Sequence, residues 1–104
     1  MKYGLKEEQW EMLRNVFAKN SRIEKVILYG SRAKGTYKPF SDVDITLVGT
    51  DLSMNDLADT INAIDDLLLP YIFDVSLYQK LKSPELLSHI SRRGVEIYKN
   101  NYKS

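Results

Sequence analysis

Apolar side chains at Trp10, Leu13 and Phe17, with Met12 and Val16 beside them, recur every three to four residues between Lys6 and Lys19. That spacing predicts an amphipathic helix. Glu7 and Glu8 in its first turn and Lys19 in its last complement the helix dipole. Val26-Ile27-Leu28-Tyr29 is a short β-prone run, read as a buried strand that Gly30 stops. Ser31 to Gly35 predicts one or two helical turns with Ser31 as N-cap, and Thr36 to Phe40 a loop turned at Pro39. From Asp42 to Val48 the pattern alternates strictly: Val43, Ile45 and Leu47 share one face, and Asp42, Asp44 and Thr46 the other. This is a half-buried strand. Ser53, with Asp56 three residues on, opens a helix carrying Met54, Leu57, Ala58, Ile61, Ile64 and Leu68 on its apolar side, and Pro70 stops it. Ile72 to Tyr78 alternates again and predicts a third strand, with Asp74 on the polar face. Ser83-Pro84-Glu85 opens a last helix that runs to Arg92-Arg93 and closes at Gly94. Val95 to Tyr98 predicts an edge strand, and Asn100 to Ser104 a frayed tail.

The order of elements predicts an α/β (α+β) fold, a small mixed sheet of about four strands packed by helices. The link between the first two strands is too short for a full crossover helix, so those strands should pair antiparallel. One domain over residues 1–104 is expected, since the chain is long enough for one core and shows no repeat or linker. Cysteine is absent, which excludes a disulfide framework and a thiolate metal site and is compatible with the cytoplasm, the expected compartment. No apolar run is long enough to span a membrane, and the first residues lack the apolar stretch of a signal peptide.

The net charge of +1 conceals an asymmetry. Arg22 to Lys38 holds five Lys/Arg and one Glu, whereas Asp42 to Asp74 holds eight Asp and no Lys or Arg. A basic loop beside an acidic stretch suits a site for an anion and a metal ion together, though solvated faces produce the same pattern. Asp42 and Asp44, two apart on a strand, leave the same face roughly 6–7 Å apart along the backbone. Carboxylates so close repel unless a cation sits between them. Oxygen-only ligands favour Mg²⁺, with Mn²⁺ the alternative. Asp74 is the candidate third carboxylate, from a neighbouring strand. Gly30 lets backbone approach a phosphate, and the short helix after it offers N–H groups to an anion. The Ser31 hydroxyl can donate as well, and Arg32, Lys34 and Lys38 are placed to add charge. Gly30 and Gly35 have the spacing of a Walker-type phosphate loop, but Thr36-Tyr37 stands where Lys-Ser/Thr is required, which excludes it.

Gly30-Ser31, Gly35 and Ser41-Asp42-Val43-Asp44, with ten residues between Ser31 and Asp42 and a lone Asp74 further on, resemble the DNA polymerase beta-type nucleotidyltransferase superfamily. The likeness runs from about Val16 to Tyr98, and the short chain resembles its minimal nucleotidyltransferase branch. The resemblance implies that Asp42, Asp44 and Asp74 are catalytic and hold two Mg²⁺ ions against a nucleoside triphosphate. It implies that Gly30, Ser31, Arg32 and Ser41 bind the nucleotide phosphates, and that Asp74 helps to deprotonate the acceptor hydroxyl. Larger members carry further domains that hold base and acceptor, so here the acceptor must be gripped by the small domain, another copy or a partner. The resemblance further implies a helical HEPN-type partner, in a hetero-oligomer: an RNase toxin whose tyrosine receives AMP from ATP, with this chain as antitoxin. A non-catalytic antitoxin that masks its partner and a small-molecule (antibiotic) nucleotidyltransferase are the alternatives. Nucleic acid is not required, since a triphosphate explains the basic loop equally well.

His89, the lone histidine, lacks an orienting partner in the local sequence and is read as structural. Arg92-Arg93 is read as a C-terminal cap of its helix. Tyr71, Tyr78, Tyr98 and Tyr102 are the tyrosines available for stacking on a base.

Overall fold

The computed structural model describes residues 1–101; Tyr102 and the rest of the expected tail lie outside the described residues. Its elements are α1 (Glu7–Ala18), β1 (Lys25–Tyr29), α2 (Gly30–Lys34), β2 (Val43–Val48), α3 (Met54–Asp65), β3 (Phe73–Leu77), α4 (Pro84–Arg93) and β4 (Val95–Lys99), with a 3-10 turn at Tyr78–Lys80. The four strands form one mixed sheet in the order β3-β2-β1-β4. β1 pairs antiparallel with β2 and with β4, and β2 pairs parallel with β3. The antiparallel first pair and the edge position of β4 are as the sequence predicts.

Alternation sets the two faces of the sheet. Val26 and Leu28 of β1, Val43, Ile45 and Leu47 of β2 and Leu77 of β3 point into one core with Trp10, Leu13, Val16 and Phe17 of α1 and Ile64 of α3. Burial of apolar surface, about 25 cal/mol per Å², makes this the main stabilising layer. The opposite face carries Ile27 and Tyr29 of β1, Asp44 and Thr46 of β2 and Asp74 and Ser76 of β3. There α4 lies close to β1: a Cβ at Gly94 would collide with the Ile90 carbonyl and the Ile27 side chain. Gly94 therefore serves close packing; its φ of −65° is not the left-handed cap that a helix-terminal glycine suggests.

Several boundaries depart from the sequence pattern. α3 ends at Asp65, and Leu68 lies beyond it at φ +56°, solvent-exposed, instead of on its apolar stripe. β3 begins at Phe73, leaving Ile72 exposed, and Tyr78 already belongs to the 3-10 turn. Asn100 is tied down instead of frayed: its amide donates to Glu24 O at 2.8 Å and its side chain to Ser21 O at 3.3 Å.

The Ser53 cap of α3 forms as expected, with Ser53 Oγ accepting from Asp56 N–H and the Asp56 carboxylate accepting from Ser53 N–H. The sequence does not reveal that Asp56 also accepts from Asn20 Nδ2 and from Arg22 Nε and Nη2. These bonds, Arg22 first, hold its carboxyl well below the usual carboxylate range. A depressed carboxyl contributes stability that is complete above its unfolded value of about 4 and is lost as pH falls below it. Thermal melts between pH 6 and pH 2 should therefore show a steeper acid loss for the wild type than for Asp56→Asn.

Candidate active site

Sheet register assembles the candidate site in a single row. Asp44 is the direct partner of Tyr29 across the antiparallel pair and of Asp74 across the parallel pair. The three side chains, from three strands, therefore leave the same face as neighbours. Asp42 lies just before β2 and is exposed, as is Asp74, while Asp44 is half-buried. Burial and then the charges of Asp74 and Asp42 push the Asp44 carboxyl above its ordinary value, against a smaller opposing effect of Arg32. Burial, together with the Asp74 and Asp44 charges, likewise raises the Tyr29 phenol.

Gly30 completes the row. Its φ is +78°, and a Cβ there would collide with Asp44 Oδ2. The absence of a side chain thus makes the seat that the Asp44 carboxylate fills. We expect Gly30→Ala to displace that carboxylate and to slow any reaction that depends on its position about 10²-fold. It should also destabilise the chain by about 1–2 kcal/mol through the left-handed backbone. Steady-state rates and thermal melts check the two effects separately.

The short helix differs in detail from the sequence expectation. α2 starts at Gly30 with Tyr29 as its N-cap, so Ser31 stands inside the first turn and not at the cap. The Gly30 amide is engaged by His89 Nε2 at 2.9 Å. Gly35 ends α2 at φ +80°, with its amide on Arg32 O and the next amide on Ser31 O.

Arg32 corrects the sequence reading most. It is 1% exposed and is no free phosphate ligand. Nε and Nη2 both donate to Ser41 O, at 3.1 and 2.7 Å, Nη1 donates to Tyr3 O at 2.8 Å, and Nη2 also reaches Pro39 O at 3.4 Å. Its guanidinium carbon lies 5.1 Å from the centre of the Tyr37 ring and 5.4 Å from that of Tyr71. Arg32 therefore ties the N-terminal turn and the loop that delivers Asp42 to α2. Ser41 belongs to the same loop: its carbonyl takes Arg32, and its Oγ accepts from Lys38 N–H at 2.8 Å. Its hydroxyl oxygen closes the turn.

The basic run divides as well. Arg22 is committed to Asp56, and Lys25 pairs with Val48 at the far end of β1 from Asp44. Lys34 and Lys38, which follow the Gly30 turn, are exposed.

A divalent metal is implied by the carboxylate pattern, and the residues fit one in part. Among the described residues no group of three or more His, Cys, Asp or Glu is gathered closely enough to form a metal cage. Asp42 stands just outside the strand, and the Asp44 carboxyl feels the charges of both Asp74 and Asp42. The adjacent Asp44 and Asp74, with Asp44 crowded by negative charge, suit a hard cation that keeps its waters and shares phosphate oxygens.

The family model described as Polymerase beta, Nucleotidyltransferase matches residues 11–103. No curated protein matches the chain. Among solved structures, a toxin-antitoxin with AMP-PNP is 18% identical with a TM-score of 0.70, over 90% of this chain and 76% of that one. A tri-AMPylated Shewanella oneidensis HEPN toxin in complex with MNT antitoxin gives 13% identity and a TM-score of 0.67, over 95% and 76%. The toxin-antitoxin MntA-HepT gives 14% identity and 0.66, over 94% and 76%. At these identities the likeness is one of fold.

Proposed function

The chain belongs to the Polymerase beta, Nucleotidyltransferase family, and on that premise we propose that residues 1–104 form one Mg²⁺-dependent nucleotidyltransferase domain. It moves AMP from ATP onto a tyrosine hydroxyl of a helical HEPN-type RNase toxin, and so acts as its antitoxin in the cytoplasm. The observation that carries this reading is the row of Asp74 and Asp44 on adjacent strands, with the Asp44 carboxylate seated on Gly30.

Asp42, Asp44 and Asp74 are the residues to hold Mg²⁺, two ions with Mn²⁺ a substitute, which when bound supplies the positive charge that stabilises developing charge on the phosphate oxygens. The Gly30-Ser31 turn lets the backbone approach the triphosphate, and Lys34 and Lys38 add charge around it. Asp74, exposed on the neighbouring strand, accepts the proton of the acceptor hydroxyl. The acceptor oxygen then forms a bond to the α-phosphorus, the bond from that phosphorus to the bridging oxygen breaks, and pyrophosphate leaves with the electron pair. Positioning does most of the remaining work. The AMP-PNP complex and the AMPylated HEPN toxin among the structures of like fold support ATP and a HEPN partner, in a hetero-oligomer.

Co-expression tests the biological role. The wild type should restore growth to cells making the HEPN partner, and a variant with Asp42, Asp44 and Asp74 all changed to Asn should not. Full rescue by that variant would instead mark a binding antitoxin that masks its partner.

A further inference from the structure

We propose that His89 is a positioning residue for the nucleotide: from behind the site, it holds the Gly30 peptide in the orientation that the phosphate turn requires. The inference rests on the nucleotidyltransferase reading above. Its basis is a contact across 59 residues of sequence, between α4 and the start of α2. The Gly30 amide donates to His89 Nε2 at 2.9 Å. The His89 ring stands edge-on to Tyr29, with centroids 6.3 Å apart and planes at 73°. α4 packs on both β1 and α2, so the imidazole is carried by a rigid element.

A backbone N–H can only donate, so His89 Nε2 must accept. The imidazole is therefore neutral, with its proton on Nδ1. Glycine populates positive and negative φ about equally, so nothing intrinsic to Gly30 selects its φ of +78°. The bond from His89 makes that selection. Gly30 in turn seats Asp44 and leads directly into Ser31. Without the acceptor, the Tyr29–Gly30 peptide is free to turn toward water. Nucleotide then binds only the fraction of molecules with the turn in place, and apparent affinity falls by that fraction. Once nucleotide is bound the turn is restored, so the chemical step changes little.

The experiment combines kinetics with NMR on ¹⁵N-labelled protein. In the wild type, His89 should show the Nδ1-protonated tautomer, and the Gly30 amide proton a downfield, hydrogen-bonded shift. His89→Ala should raise KM for ATP about tenfold, as when about one molecule in ten keeps the turn in place, and leave kcat within about twofold. The Gly30 amide proton should move upfield. His89→Gln, whose Oε1 can stand where Nε2 does, should restore both KM and the Gly30 shift. Should His89→Ala melt below the assay temperature, His89→Met, of similar volume and without an acceptor of that strength, carries the same expectations. A wild type that binds no ATP overturns the reading beneath this inference. If ATP binds but KM and the Gly30 amide are unmoved by His89→Ala, or Gln restores neither, the inference alone is overturned.

Discussion

Asp44→Asn is expected to cut nucleotide transfer by about 10³-fold, the scale of losing one preorganised charge at a transition state, while the chain stays folded. Asp44 stands between Tyr29 and Asp74 in the sheet, and its carboxyl is raised by burial and by the neighbouring Asp74 and Asp42 charges. A carboxyl raised on folding binds its proton more tightly in the folded chain than in the unfolded one. Stability then falls as pH rises from the unfolded value of about 4 through the folded one. At neutral pH the charged Asp44 therefore opposes folding in the metal-free protein. Asparagine keeps the shape and removes the charge, so the variant should melt at an equal or higher temperature than the wild type at pH 7. Its melting temperature should also lack the decline that the wild type shows as pH rises above about 4. Asp56 has the opposite sign, since its depressed carboxyl withdraws stability in acid. The two aspartates thus shape different limbs of one stability profile, and melts of the two Asn variants separate them. Undiminished transfer in Asp44→Asn is incompatible with the proposed site.

Arg32→Ala is the substitution expected to damage the fold most. It strands the carbonyls of Tyr3, Pro39 and Ser41 and removes the cation beside the Tyr37 and Tyr71 rings. Bonds from a charged donor contribute about 1.5–3 kcal/mol each. A loss of about 3 kcal/mol or more is therefore expected, a large part of the 5–15 kcal/mol of a typical domain. For a chain of this size that is a fall of about 15 °C or more in melting temperature. Transfer should fall as well, because the loop held by Arg32 delivers Asp42. Arg32→Lys should recover only part of the stability, since an ammonium has neither the planar fork that spans Ser41 and Tyr3 nor the flat, delocalised face that lies well against an aromatic ring. Thermal melts of the three proteins test the ranking. Equal melting temperatures would show that Arg32 is not the clamp.

Most of the fold is legible in the sequence because its strands alternate and its helices carry caps. Val43, Ile45 and Leu47 against Asp44 and Thr46 set the register of β2, and Ser53 and Ser83 mark helix starts that the structure reproduces. Short-range pattern also placed Asp44 and Asp74 on a polar face, and parallel pairing makes them direct neighbours. What it did not carry is any contact between distant residues. Arg32, read as a phosphate ligand from its place after Gly30-Ser31, is turned inward by carbonyls and rings from three other segments. The turn at Tyr3-Gly4 that receives it has no periodic signal; a Cβ on Gly4 would collide with Arg32 Nη1, which explains the glycine only after folding. His89 likewise gains its partner from the packing of α4, which no local spacing announces. Leu68 fits the helical period of α3, but the helix has already ended at Asp65.

The central claim is transfer of a nucleotide to a protein hydroxyl, and α-³²P-ATP with Mg²⁺ tests it most directly. The chain is incubated alone and with the product of the adjacent reading frame, beside its Asp42→Asn variant. A labelled partner band, present with the wild type and gone with Asp42→Asn, is the predicted result. No labelled band with any of the four nucleoside triphosphates, in a mixture where the two proteins form a stable complex, would contradict it.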